Sequence, residues 1–179
     1  MGMEITADMV SRARGIVRWP SPVLRERCKP VDPPVMLGGL VERMLKLMRA
    51  NSGIGLAAPQ VGIPARMFIW EVGGESGAVV NPTLSDPQGD VTMEEGCLSL
   101  PGVGVAVSRP ESVTLIGLTA SGDPLHLRAT GLLARVWQHE FDHLNGLTLA
   151  ERMSDAEGIA NRRALKRLRS AAKAKKKGR

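Results

Sequence analysis

Apolar residues along the chain recur with two periods, and the change from one to the other divides it into elements. Met36, Leu40, Met44, Leu45, Leu47 and Met48 return at helical spacing. They predict a helix from about Pro34 to Ala50, closed by Asn51 and Gly53. The pattern then becomes strand-like. Arg66–Val72 reads as a short buried strand, Gly73-Gly74 as its turn, and Ala78-Val79-Val80 as a partner that Asn81-Pro82 stops. Val103–Val107, Val113–Leu118 and Pro124–Ala129 are further strand candidates, with Ser121-Gly122-Asp123 as a turn. Helical spacing returns from Gly131 to about Leu144. A second, basic helix starts near Ser154 and is expected to fray into Lys173–Arg179. Residues 20–34, rich in Pro and charge, read as extended chain and turns. A helix, then several strands, then helices predicts an α+β fold with an antiparallel or mixed sheet, not a doubly wound α/β one.

Composition narrows this picture. With 179 residues, 43% of them hydrophobic, the chain can bury a real core in one domain. Aromatics are 3% and Tyr is absent, so the core should be aliphatic and Met-filled, and an aromatic surface for stacking bases is not expected. The net charge of +6 is uneven. Ten of the 24 basic residues fall in 162–179, which holds no acid, leaving 14 basic against 18 acidic residues and a net of −4 in the body. Such a basic tail suits an anionic partner such as RNA, or is a plain solvated end. No apolar run approaches the ~20 residues of a membrane helix, and no signal or transit peptide is visible, so a cytoplasmic location and no membrane partner are expected. Met1-Gly2 with Thr6 fits a loose myristoylation pattern, which short sequences match by chance. The two cysteines, Cys28 and Cys97, read as reduced thiols.

Chemistry concentrates in three segments. In His139-Glu140-Phe141-Asp142-His143, two His at i and i+4 share one helix face and can grip one metal. Glu140 sits one residue after the first of them, close enough to serve as a general base. A hydrolytic metal site needs a third protein ligand, and Cys97, in Glu94-Glu95-Gly96-Cys97-Leu98-Ser99-Leu100-Pro101-Gly102, is the natural candidate. Cys28, between Arg27 and Lys29, has no motif around it and receives no role. The third segment, Gly53-Ile54-Gly55-Leu56-Ala57-Ala58-Pro59-Gln60, pairs small residues that let backbones approach closely with an uncharged amide donor, Gln60.

Taken together, Gly53–Gln60, Glu95–Ser99 and His139–Gly146 resemble the three signature stretches of the peptide deformylase family, in the same order and with similar gaps. The resemblance spans roughly residues 15–153, including Pro20, Leu24, Arg25 and Asn81-Pro82, and leaves out the tail. It implies a catalytic domain over 1–153, its sheet arranged around a central metal-binding helix; the basic, Lys-rich composition of 154–179 adds a C-terminal helix and a mobile tail. The roles the resemblance implies are Cys97, His139 and His143 as metal ligands and Glu140 as general base and later acid. Gln60 and the Leu98 N–H would stabilise an oxyanion. Ile54, Gly55 and Gly96 would hold the substrate backbone, and Leu132 and Val136 would wall a methionine pocket. The implied reaction removes the formyl group from the formyl-Met end of nascent peptides. The implied cofactor is one divalent metal, ferrous iron in the cell, with zinc, nickel or cobalt able to take its place. One departure is the uncharged Val103-Gly104-Val105, near where some bacterial relatives carry an Arg. The rivals are a His-Glu-x-x-His zinc protease, which needs a third ligand downstream where no His follows His143, and a basic-tailed RNA-binding protein. Two further expectations follow: an Arg109–Asp142 ion pair that locks the helix to the sheet, and ribosome contact through residues 162–179.

Overall fold

The computed structural model describes residues 2–32 and 37–177. A short helix, α1 (Ala7–Arg12), precedes a longer one, α2 (Leu37–Ala50). Pro34, Val35 and Met36, where the sequence places the start of that longer helix, lie outside the described residues. The strands follow: β1 (Gly55–Ala57), β2 (Met67–Val72), β3 (Glu75–Gln88), β4 (Val91–Glu95), β5 (Val105–Arg109), β6 (Ser112–Leu118) and β7 (Pro124–Thr130). Three helices complete the chain: α3 (Gly131–Leu144), α4 (Asp155–Ala160) and α5 (Arg162–Lys177). The fold is α+β, as the pattern predicts. One sheet has the order β1-β2-β3-β6-β7, β4 pairs with β5 in a second, and every strand pairing in both is antiparallel.

The sheet is buried on both faces where the site forms, and β2 shows why. Its alternate residues Met67 and Ile69 join one apolar cluster with Leu40, Met44 and Met48 of α2. Phe68 and Trp70 point the other way, into a cluster with Ala134, Val136 and Trp137 of α3. Met44, Met48 and Met67 are fully buried, as a Met-filled core requires. The few aromatics are also interior, Trp19, Trp70, Trp137 and Phe68 all being buried. A third cluster joins Trp19, Leu24, Cys97, Leu100, Val103, Val105 and Val107 to Ala164.

Three local expectations are corrected. Asn81-Pro82 does not stop its strand: β3 continues to Gln88, and Asn81 takes a positive φ of 52° at a register shift between Val80 and Thr83. The Asn81 side chain stabilises this bulge through hydrogen bonds with the Val31 N–H and carbonyl, at 2.8 and 2.9 Å. The basic helix expected from near Ser154 is broken at Asn161 into α4 and α5, and α5 runs to Lys177. Its buried side is formed by Ala164, Leu165 and Leu168. The strand expected at Val103 begins at Val105, because the chain up to Val103 is still turning, with the Val103 N–H bonded to the Leu100 carbonyl.

Candidate metal centre and cleft

α3 brings His139 and His143 onto its site-facing side, and the turn after β4 brings Cys97 against them. The Cys97 Sγ and His143 Nε2 are 3.3 Å apart, and one ligand atom from each of Cys97, His139 and His143 lies within 4.8 Å of the others. This is the donor set of a four-coordinate site with one position left for substrate or water. His139 is oriented by Glu95, whose Oε2 lies 2.9 Å from Nδ1, so Nε2 is the ring nitrogen free to ligate. One thiolate and two imidazoles fit zinc, ferrous iron, nickel or cobalt. The electrostatics agree with a thiolate. Burial alone would push the Cys97 thiol up, but His143 and His139 beside it hold it well below the ordinary thiol range.

Glu140 is 4% exposed, and its Oε2 has no hydrogen-bond partner among the described residues. Burial pushes its carboxyl up to about 7, against the pull of His139 and His143. Gly55 makes room for it: a Cβ there would fall 2.5 Å from Glu140 Oε1 and 2.8 Å from Val136 Cγ1. Gln60 is buried and its amide is fixed in direction. The Ala57 N–H donates to Oε1 at 2.8 Å, and Nε2 faces Cys97 Sγ at 3.5 Å and Ser99 Oγ at 3.2 Å. Across from it, the Cys97 carbonyl accepts from the Leu100 N–H at 2.9 Å, which sets the peptide plane carrying the Leu98 N–H. The Leu98 carbonyl accepts from Arg18.

These groups open onto a cleft of about 430 Å³. Ile54, Gly55, Gln60, Gly96, Cys97, Leu98, Leu132, Val136, His139 and Glu140, all singled out in the sequence, line it together. His143, the remaining sequence candidate, lies behind them and is 1% exposed.

Of the charged girder behind the cleft, sequence reasoning gave a role to Arg109 and Asp142 and none to Glu95, Arg135 or Arg152. Glu95 Oε1 accepts from Arg109 Nε at 2.6 Å and Arg135 Nη1 at 2.7 Å, and Oε2 accepts from Arg109 Nη2 at 2.9 Å. Burial would push the Glu95 carboxyl up, but hydrogen bonds from His139 and Arg109 outweigh it and hold the carboxyl below the ordinary range. The Arg109–Asp142 pair expected from sequence is present, Nη1 donating to Oδ2 at 2.9 Å. Asp142 also takes a bidentate contact from Arg152, at 2.6 and 3.1 Å. A signal existed for two of these residues. Arg135 precedes His139 by one helical turn and so shares its face, and Glu95 is the one acid of Glu94-Glu95 that the strand turns inward.

Fold and site together define a metallohydrolase built around a His-Glu-x-x-His helix and a cysteine turn. The polypeptide deformylase family model matches residues 13–158. A peptide deformylase of Thermotoga maritima is 42% identical over 147 residues, covering 80% of this chain and 89% of that protein. The solved peptide deformylase of Thermus thermophilus matches with a TM-score of 0.84 at 37% identity, over 88% of this chain and 98% of that one. That of Legionella pneumophila matches with a TM-score of 0.83 at 36% identity, over 89% and 96%. The chain belongs to the polypeptide deformylase family.

Proposed function

We propose that this protein hydrolyses the N-formyl group of formyl-methionine at the start of nascent polypeptides, releasing formate and a free amino terminus. The observation that carries the reading is the cluster of Cys97, His139 and His143 at an open cleft, beside Glu140, whose buried Oε2 has no partner among the described residues. Cys97, His139 and His143 hold one divalent metal, ferrous iron in the cell by family kinship, with zinc, nickel or cobalt able to replace it. When bound, the metal supplies Lewis acidity that makes water acidic enough to act as a nucleophile at neutral pH. Glu140 takes a proton from the attacking water as its oxygen bonds the formyl carbon. The Gln60 amide and the Leu98 N–H donate to the formyl oxygen as charge develops there, each worth about 3–4 kcal/mol at sites of this kind. Glu140 returns the proton to the leaving nitrogen as the C–N bond breaks. Burial favours the protonated form of this carboxyl and a cation beside it favours the carboxylate, so the two oppose each other at the group that must both take and return a proton.

The peptide lies extended along Ile54, Gly55 and Gly96, so backbone hydrogen bonds hold it whatever its sequence. The first side chain enters the apolar slot beside Leu132 and Val136. The His-Glu-x-x-His protease reading lacks its downstream ligand. Glu151 is engaged by Thr148 Oγ1 at 2.6 Å and Glu157 by Ser154 Oγ at 2.7 Å, each serving its own helix cap.

The catalytic unit is 1–153 and 154–179 is a basic appendage, of which we assign 162–179 to docking on ribosomal RNA in the cytoplasm. Arg162, Arg163, Lys166, Arg167, Lys173 and Lys175 are all exposed or partly exposed, and phosphate contacts by such residues weaken steeply with salt. Among the described residues no helix is long and apolar enough to cross a membrane. Formate release from a short formyl-Met peptide tests the reading. Catalytic release by the metal-loaded chain is expected, whereas cleavage of internal peptide bonds without formate would favour the protease.

A further inference from the structure

Arg135 is a buried cation on the face of α3 that also carries His139, yet it neither ligates nor faces the reacting atoms. Its guanidinium is engaged elsewhere. Nη1 donates to Glu95 Oε1 at 2.7 Å and to the Val107 carbonyl at 2.9 Å, and Nη2 donates to the Val91 carbonyl. Val91 opens β4 and Val107 is the centre of β5, so one side chain ties both strands of the two-stranded sheet to α3. That sheet is separate from the main one, and among the described residues no strand pairing joins the two. Among the described residues, Arg109, which faces Val91 in the β4–β5 register, also crosses from this hairpin to α3, on Asp142 one helical turn and more beyond Arg135.

What hangs on the clamp is one wall of the cleft. Met93, Glu94 and Glu95 of β4 line it on one side, and Leu132, Arg135 and Val136 of α3 line it on the other. Met93 is 45% exposed and Leu132 is 49% exposed, so the two flank the mouth of the slot without closing it. The distance between hairpin and helix is the width of this slot, and these half-exposed apolar side chains at its rim do not fix that width. A guanidinium fixes it instead, because its planar fork holds two carbonyls and a carboxylate in one geometry.

We propose that Arg135 is a positioning residue that sets the width of the first-side-chain slot by clamping the β4–β5 hairpin to α3, so that the enzyme selects an unbranched side chain. This rests on the reading that the slot receives the first side chain of a formyl peptide. Lys at this position would keep the charge but could not span all three acceptors, leaving buried carbonyls without donors. The slot would then admit wider side chains.

The test compares metal-loaded full-length wild type, Arg135→Lys and Arg135→Met on four formyl tripeptides that differ only in the first residue: Met, norleucine, Leu and Val. The ratio of kcat/KM between two substrates measured on one sample does not depend on how much of that sample is folded, so partial unfolding cannot mimic the effect. Arg135→Lys is expected to lower the Met-over-Leu and Met-over-Val ratios roughly tenfold, the low end of the discrimination that a single methylene gives in an apolar pocket. The loss should lie mainly in KM, with kcat on formyl-Met within about threefold of wild type. Amide exchange across residues 91–95 should quicken in the same variant relative to the α2 core. Unchanged ratios in both variants, whatever happens to thermal stability, would overturn the clamp and leave Arg135 with a structural role only. Wild type that releases no formate from any of the four would overturn the deformylase reading itself, a different outcome from wild type that discriminates and variants that discriminate equally well.

Discussion

The surroundings of Cys28 and of Cys97 give one side chain two opposite chemistries. Both thiols are buried and neither is in a disulfide. Cys28 sits in an apolar cluster with Phe68, Trp137 and Leu144, and burial pushes its thiol up to about 12, beyond the small pull of Arg66. Cys97 is also desolvated, but His143 and His139 beside it reverse the shift. Burial therefore does not decide whether a cysteine is inert; the charges and donors within hydrogen-bonding reach decide it. The same rule separates Glu140 from Glu95. Both carboxyls are buried, and the one that accepts from His139 and Arg109 stays below its ordinary range while the other, whose Oε2 has no partner among the described residues, rises to about 7.

The comparison breaks most visibly at Cys97. Cys97→Ser removes a ligand, and formate release should fall by at least about a hundredfold, since removing even an outer partner of a ligand can weaken metal binding that much. Cys28→Ser should leave activity per folded molecule unchanged. Thiol labelling gives the same contrast: Cys97 should be protected in metal-loaded protein and exposed to reagent by a chelator. Equal labelling with and without chelator would contradict it.

The next largest effect is expected at Arg109. Arg109→Ala strips donors from the buried carboxylate of Glu95 and the half-buried one of Asp142, and should cost about 3–5 kcal/mol in denaturant unfolding. The sign of its pH dependence follows. The Glu95 carboxyl is held below its ordinary value of 4.5 in the fold, so its pairing contributes stability above that pH and loses it as pH falls toward the folded value. The gap between wild type and variant should narrow below about pH 4.5, the ordinary value for this carboxyl. A smaller cost, about 1–3 kcal/mol, is expected for Cys28→Ser, because a hydroxyl replaces a thiol in an apolar cluster.

The smallest effect on peptide turnover belongs to the tail. Removing all of 162–179 would uncover the surface met by Ala164, Leu165 and Leu168 and take away Arg169, which lies 5.0 Å over Trp19. Changing exposed charges is the cleaner experiment. Replacing Lys166, Arg167, Lys173 and Lys175 by Ala should leave turnover of a short formyl peptide within about twofold while reducing salt-sensitive co-sedimentation with ribosomes. Unchanged co-sedimentation would remove the docking role and leave catalysis untouched.

Much of the fold was legible in the sequence where one physical rule dominates. The helices α2 and α3 and the strands β2, β6 and β7 follow from hydrophobic period alone, and Gly131–Leu144 matches its expected bounds. β1 and β4 were missed for opposite reasons. β1 is three residues of Gly, Leu and Ala, fixed only by pairing with β2. β4 is exposed over Val91–Glu94, and its pattern carries no core signal. Asn81-Pro82 reads as a stop because the bulge that absorbs it depends on Val31, fifty residues away in the chain. The lining of the cleft was legible because its residues sit in dense local motifs. The girder of Glu95, Arg109, Arg135, Asp142 and Arg152 was only partly so, because its pairing exists only once β4, β5 and α3 have met.

Glu140→Gln, assayed for bound metal and for formate release on the same preparation, tests the central claim most directly. The carboxylate is a base and not a ligand, so the variant should bind one metal per chain like wild type while turnover falls by about 10²–10⁴-fold. A variant that lost its metal but kept wild-type activity per metal bound would contradict the account.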